Sequence, residues 1–232
     1  MSFLTDVIRA DYKLVRVLKN TERSKVIVYK NPQLDRRIVW REAAVNIEVF
    51  RLLMGISYPG LPEVYAITEH EGKNVILEQF IDGITLEQEL QRGTISEKRT
   101  RRIAAELCNT LTLIHKMGII HRDIKPSNIM LLEDDFPVLL DFDVARIYKP
   151  DSAGDTTVLG TRGFAAPEQL DIAQTDGRSD IYSLGIMMNY MLTGDHPTNR
   201  RHKGLLSPVI DRCTHLDPNR RYQTAEQLRR WL

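Results

Sequence analysis

Up to Gly83, apolar and polar positions alternate in short runs, the period of strands with one buried face. Tyr12–Leu18, Lys25–Tyr29 and Arg37–Trp40 are predicted as strands, with a turn at Asn31-Pro32 between the last two. Val45, Val49, Leu52 and Leu53 recur at helical spacing and predict a helix over Ala43–Met54. Glu63–Ile67 and Asn74–Phe80 return to strand, joined by a turn at Glu71-Gly72. After Gly83 the period lengthens. Ser96 opens a helix as its cap, with Glu97 in the first turn. Ile103, Leu107, Leu111 and Ile114 mark one apolar face, and Gly118 stops the helix. Further helices are predicted at Asp180–Leu192, Leu205–Thr214 and Ala225–Leu232, around a loop-rich middle over residues 121–178. A sheet-rich part followed by a helical part is an α+β arrangement, whose natural ligand site is a cleft between the two.

Composition narrows the function classes. The 232 residues are 42% hydrophobic and 27% charged, ordinary for a soluble chain with a sizeable core. Lys plus Arg (32) and Asp plus Glu (31) leave +1, which argues against a strongly basic nucleic-acid binder. No apolar run approaches the roughly 20 residues that span a bilayer. Asp6, Arg9 and Asp11 break the opening apolar residues, so no signal peptide is expected. Cys108 and Cys213 lack metal-ligand spacing, and Cys108 sits in a helical apolar pattern. A reduced thiol and a cytosolic placement follow. The helix running to Trp231-Leu232 is equally compatible with the cytosolic part of a membrane-anchored protein.

The chemistry concentrates in His121-Arg122-Asp123-Ile124-Lys125-Pro126-Ser127-Asn128 and, 13 residues beyond Asn128, Asp141-Phe142-Asp143 after the apolar run Val138-Leu139-Leu140. Two carboxylates and an amide at the ends of short apolar segments suit Mg²⁺, a hard cation that prefers carboxylate and phosphate oxygens. Lys125 beside them would neutralise charge on a transferring phosphoryl group. These runs resemble the H-R-D-x-K-x-x-N catalytic loop and the D-F-G motif of protein kinases. The resemblance implies a bilobal kinase fold, with residues 1–82 as a truncated small lobe and 83–232 as the large one. It implies that Asp123 orients the acceptor hydroxyl and takes its proton, and that Lys125, two residues on, contacts the γ-phosphate in the serine/threonine manner. Asn128 and Asp141 would hold Mg²⁺ (or Mn²⁺) on ATP, and His121 and Phe142 would pack internally.

Other stretches carry the same likeness. Gly160-Thr161-Arg162-Gly163-Phe164-Ala165-Ala166-Pro167-Glu168-Gln169 resembles the family's substrate-positioning G-T-x-x-Y-x-A-P-E-Q. By it, Thr161 ties Asp123 to Lys125. Ser179-Asp180-Ile181-Tyr182-Ser183-Leu184-Gly185 resembles the start of the central helix, where Asp180 holds the catalytic-loop backbone. Asp217-Pro218 with Arg221 resembles D-P-x-x-R, which implies a structural Glu168–Arg221 pair. Thr156 and Thr157 are candidates for a phosphorylation that pairs with Arg122.

The first part departs from the family. Lys19-Asn20-Thr21-Glu22-Arg23-Ser24 stands where a glycine-rich phosphate loop is expected, and no glycine precedes Gly55. Arg41 occupies the position of the phosphate-contacting lysine, with Glu48 as its helix glutamate only seven residues later. Lys30, eighteen residues before Glu48, is the alternative, at the cost of one strand. Asp143 replaces the glycine of D-F-G. Gln79 and Ile81 would receive adenine through their backbone, with Glu78 at the gatekeeper position. The expected activity is Mg-ATP-dependent phosphoryl transfer to Ser or Thr hydroxyls of a protein substrate. The alternatives are a pseudokinase that binds nucleotide or a partner without turnover, favoured by the glycine-free loop, and a small-molecule kinase, which would lack the A-P-E-Q and D-I-Y-S-L-G elements.

Overall fold

The computed structural model describes residues 8, 10–21, 24–43, 45–70, 73–148, 161, 163–170 and 175–232. The chain divides into two compact units, Met1–Asp82 and Gly83–Leu232. In the first, β1 (Lys13–Asn20), β2 (Ser24–Asn31), β3 (Arg36–Ala43), β4 (Val64–His70) and β5 (Lys73–Gln79) form an antiparallel sheet in the order β1-β2-β3-β5-β4. Because side chains alternate across a strand, the sheet sorts its residues onto two faces. One face carries the core of Ile8, Ile27, Ile38, Trp40, Val75 and Leu77, flanked by Tyr12, Tyr29, Tyr65 and Ala66. The other presents Val26, Val28, Arg41, Ile76 and Glu78, all buried.

The predicted helix over Ala43–Met54 is shorter, α1 at Ile47–Leu53. Ala43 stays in β3, paired with Ser24 and Asn74, and the Asn46 side chain caps the helix from the amide of Glu48. Between β2 and β3, Asn31 Oδ1 accepts from the amides of Gln33 (2.9 Å) and Leu34 (3.0 Å), making the turn that Asn31-Pro32 predicts. The turn assigned to Glu71-Gly72 lies outside the described residues.

In the second unit, β6 (Ile84–Thr85) leads into α2 (Leu86–Leu90), capped reciprocally by Thr85 and Gln88. α3 (Glu97–Lys116) starts at the Ser96 cap and buries Ile103, Leu107, Leu111 and Ile114. Gly118, at φ 76°, ends it in a left-handed conformation that suits glycine. Short strands follow, β7 (Ile119–Ile120), β8 (Ile129–Leu131), β9 (Pro137–Leu139) and β10 (Arg146–Ile147), pairing as β6-β8-β9 and β7-β10. Beyond α4 (Pro167–Leu170), helix α5 (Gly177–Thr193) is buried on nearly every side, the mark of a central helix. It packs on α3, α6 (Ser207–Cys213) and α7 (Ala225–Arg229). Gly185 makes the α5–α6 contact possible, since a Cβ there would lie 2.5 Å from Cys213 Cβ. Both cysteines are free and buried, as expected of reduced thiols. Among the described residues no helix is long and apolar enough to cross a membrane.

Candidate active site

The loop between β7 and β8 is short, strained and held from several directions. Arg122 adopts φ 69°, a left-handed conformation costly for a bulky side chain, so the surroundings must impose it. They do so on both sides of the residue. Its amide donates to Asp180 Oδ1 (2.8 Å), and its carbonyl accepts from Gln169 Nε2 (2.8 Å). Asp180 is fully buried at the start of α5. Its Oδ2 also accepts from the His121 amide (3.0 Å) and meets His115 Nε2 (2.8 Å). Burial opposes the charge on Asp180, but these bonds outweigh it and hold the carboxyl below its ordinary range. The expectation that Asp180 anchors the catalytic-loop backbone is met.

His121 is turned inward. Its Nδ1 accepts from the Asp123 amide (3.3 Å), which leaves Nε2–H to donate to the Leu140 carbonyl (3.0 Å). Its ring meets Phe142 edge-on at 4.8 Å, and both residues are buried, as expected.

Asp123, Lys125, Asn128 and Thr161 form one hydrogen-bonded group. Thr161 Oγ1 donates to Asp123 Oδ1 (2.7 Å) and accepts from Lys125 Nζ (2.8 Å). Lys125 Nζ also lies 2.7 Å from Asp123 Oδ2. Asn128 Nδ2 donates to the Asp123 carbonyl and to Oδ2, each at 3.0 Å. Burial of Asp123 favours its neutral form, but the Lys125 and Thr161 bonds prevail and hold its carboxyl below the usual range. A carboxylate offers about four acceptor positions. Among the described residues Thr161, Lys125 and Asn128 fill three, which leaves one at Oδ1.

The Asn128 amide has a fixed sense, because both bonds are made by Nδ2. Among the described residues no donor reaches its Oδ1, the atom a cation would need. The Leu140 amide donates to the Asn128 carbonyl (2.8 Å), tying Asp141 to this loop. Asp141 is itself left-handed, at φ 62°, which a short acid tolerates better than most residues. One carboxylate and one amide oxygen are few ligands, but Mg²⁺ takes its remaining partners from phosphate and water. A carboxylate and an amide oxygen are donor types that suit that ion.

Downstream, Glu168 accepts two bonds from Arg221, Nη1 to Oε1 at 2.6 Å and Nη2 to Oε2 at 2.9 Å. Arg221 is 0% exposed, yet its five N–H groups all find acceptors: Glu168 twice and the carbonyls of His215, Arg178 and Leu216. Ser179 Oγ adds a bond to Glu168 Oε1 (2.9 Å), and Ser183 Oγ donates to the Phe164 carbonyl (2.8 Å). Burial again works against the Glu168 charge, and Arg221 overrides it, lowering the carboxyl's pKa.

In the first unit, β3 is complete, so Arg37–Trp40 is not lost from the sheet as the Lys30 alternative would require. Lys30 pairs with Asp35 of the β2–β3 turn. Arg41 is buried and donates from Nε to Glu78 Oε2 at 2.8 Å. Glu48, the sequence candidate for that partnership, is 54% exposed and pairs with Arg51 of its own helix. The Gln79 amide is taken by the Glu63 carbonyl (2.8 Å), whereas among the described residues no hydrogen bond engages the Ile81 backbone. Thr156, Thr157, Gly160, Arg162, Glu22 and Arg23 lie outside the described residues.

The family model for the protein kinase domain matches residues 11–230. The chain belongs to the protein kinase family. Its fold is the kinase α+β fold, an antiparallel sheet unit followed by a helical one. Serine/threonine-protein kinase PknB of Mycolicibacterium smegmatis is 32% identical over 206 residues, 75% of this chain and 33% of that protein. Serine/threonine-protein kinase D of Synechocystis is 30% identical over 243 residues, 93% of this chain and 45% of that protein. Serine/threonine-protein kinase PknJ of Mycobacterium tuberculosis is 32% identical over 210 residues, 81% of this chain and 35% of that protein. The chain thus spans about a third to under half of the length of these relatives. Members of the family use ATP and Mg²⁺. Within this kinase domain, sequence reasoning missed the clamp of Gln169 on Arg122, the His115 bond to Asp180, and Glu78 as a partner of Arg41. The one signal for the last was a charge at a position inside an apolar strand.

Proposed function

We propose that this kinase domain transfers a phosphoryl group from Mg-ATP to Ser or Thr hydroxyls of protein substrates. The observation that carries the reading is the Asp123–Thr161–Lys125 arrangement, with a carboxylate oriented by three donors and, among the described residues, one acceptor position left. In this reading Asp123 aligns the acceptor hydroxyl. A carboxyl held below its ordinary range is a weak base, so proton transfer to it comes late, as a loose phosphoryl-transfer transition state allows. Lys125 addresses the transferring group, and Asn128 Oδ1 and Asp141 hold the metal. Bound Mg-ATP supplies the phosphoryl donor and part of the charge neutralisation. Arg41 is the cation of the first unit directed at phosphate, and Gln79 and Ile81 receive adenine through the Gln79 carbonyl and the Ile81 backbone. Residues 1–82 and 83–232 are read as the small and large lobes. The free, buried thiols accord with a cytosolic setting.

Labelled ATP with Asp123→Asn and Asp141→Asn tests the reading. Both substitutions should abolish transfer. Asp123→Asn should leave Mg-ADP affinity by calorimetry within about twofold, whereas Asp141→Asn should weaken it about tenfold or more, because it removes a metal carboxylate. Equal turnover in wild type and both variants would sink it. One observation favours a second reading, a pseudokinase: the link from β1 to β2 lacks glycine and spends hydrogen bonds on its own closure. Wild-type protein that binds Mg-ADP and transfers no phosphoryl group would select that reading.

A further inference from the structure

Two peptide groups flank the Cα of Arg122, and both are held. The first carries the Arg122 amide, which donates to Asp180 Oδ1 at 2.8 Å. The second joins Arg122 to Asp123. Its carbonyl accepts from Gln169 Nε2 at 2.8 Å, and its N–H donates to His121 Nδ1 at 3.3 Å. Holding both peptide planes fixes the left-handed backbone of Arg122, at φ 69°, and with it the direction in which the chain enters Asp123. Gln169 is 1% exposed and is itself tied down. Its Oε1 accepts from the Ala166 amide at 3.1 Å, and its own amide donates to the Ala166 carbonyl at 2.9 Å. The same stretch of chain contributes Thr161 Oγ1, which donates to Asp123 Oδ1 at 2.7 Å. It therefore reaches Asp123 twice, at the carboxyl and at the peptide group before it.

We propose that Gln169 is a positioning residue for Asp123, its amide holding the Arg122 carbonyl and so setting the angle at which the Asp123 carboxylate meets the acceptor hydroxyl. This deepens, and rests on, the phosphoryl-transfer reading above. Glutamine suits the task because its amide donates at one atom and accepts at the other without carrying charge. An ionised glutamate in its place offers acceptors only, and would set an oxygen against the Arg122 carbonyl. Protonated, the same carboxyl regains one donor. Burial and the facing carbonyl both favour the neutral form, which raises such a carboxyl towards pH 7. Methionine has nearly the length of glutamine and no donor.

The test uses the full chain with Gln169→Met and Gln169→Glu. Transfer of label from Mg-ATP to the chain itself and to casein gives kcat and KM for ATP between about pH 6 and about pH 8. Hydrogen exchange of the backbone amides is followed beside it. Gln169→Met should lower kcat about tenfold or more and leave KM for ATP within about twofold, the pattern of a lost alignment. In Gln169→Glu, kcat relative to wild type should rise about tenfold as pH falls across that range, because protonation restores the donor. Asp123, Asp180, Glu168, His115 and His121 titrate in both proteins and cancel in the ratio. A purely structural role would leave the ratio flat, and a flat ratio overturns the proposal. So does a Gln169→Met kcat within about twofold of the wild type, which decides the question where Gln169→Glu does not fold. Exchange should quicken at residues 121–123 of Gln169→Met while α5 stays protected, and uniformly faster exchange across the second unit would also overturn it. Exchange needs no turnover. Wild-type protein that transfers no phosphoryl group, beside that local change in Gln169→Met, supports the clamp and fails the reading beneath it.

Discussion

Thr161 stands between two charges of opposite sign, donating its single proton to Asp123 and accepting from Lys125. Valine has nearly the same shape and neither capacity. A hydrogen bond to a charged group contributes about 1.5–3 kcal/mol, so losing the orientation it provides corresponds to roughly ten- to a hundredfold in rate. Thr161→Val is therefore expected to lower kcat by that range with KM for ATP nearly unchanged, and Thr161→Ser to retain most activity. Steady-state kinetics on the two variants checks this, and a full kcat in Thr161→Val would refute it. The grouping of Asp123, Lys125 and Asn128 was readable because they lie within one run whose spacing sets their order. The Thr161 tie, the Asp180 anchor and the Glu168–Arg221 pair were likewise anticipated and are present. Gln169 was not assigned a role, because arginine gives no hint of a left-handed backbone and so no hint that Arg122 needs a clamp. Glu78 escaped for a different reason. Its partner is chosen by the adjacency of β3 and β5, a crossover in strand order that local pattern does not encode.

The hairpin of β1 and β2 is closed by its own hydrogen bonds. Asn20 pairs with Lys25, and the Thr21 amide donates to the Ser24 carbonyl at 2.9 Å. Thr21 Oγ1 also donates to that carbonyl and accepts from the Ser24 amide, each at 3.1 Å. Backbone donors that a glycine-rich loop would turn toward phosphate are here used to close the turn. Nucleotide affinity should then depend on adenine contacts and on metal at Asn128 and Asp141. Mg-ATP and Mg-ADP are expected to bind within a few-fold of each other, and removal of Mg²⁺ to weaken ATP by at least tenfold, since each lost bond to a charged oxygen counts for about 1.5–3 kcal/mol. Calorimetry with and without chelator measures both, and tight metal-free ATP binding would contradict the account. Strand positions were legible to within a few residues from short apolar–polar runs bounded by turn residues, although burial alternates in neither β1, exposed nearly throughout, nor β5, buried from Val75 to Glu78. The helix was overextended. Val45 continues the helical spacing in sequence, but Asn46 caps the helix after it and Ala43 is kept by strand pairing.

At the scale of the whole molecule, ionisable groups buried in the second unit set how stability responds to pH. Asp123, Glu168 and Asp180 each work against burial, and their hydrogen bonds from Lys125, Arg221 and His115 prevail, so all three carboxyls titrate below their ordinary range. The folded chain then binds fewer protons than the unfolded chain in the acid region, and stability rises with pH there. Their contribution is complete above the unfolded carboxylate values of about 4 and is lost as pH falls through the lower folded values. Cys108 and Cys213 behave oppositely, because burial pushes both thiols up. Their contribution is complete below the unfolded thiol value of about 8.5 and declines as pH rises past it, where the unfolded chain sheds protons that the folded chain keeps. The two limbs leave a plateau from about pH 5 to about pH 8. Urea midpoints followed by circular dichroism should be flat across that window, fall below about pH 4, and fall again above about pH 8.5. The limbs are separable by substitution. Glu168→Gln lowers the plateau, because Arg221 loses its counter-charge, and makes the acid limb shallower while leaving the alkaline limb unchanged. Cys108→Ala makes the alkaline limb shallower between about pH 8.5 and 9.5, before tyrosines ionise near 10. An alkaline limb that is identical in wild type and Cys108→Ala would show that this thiol does not shape the response.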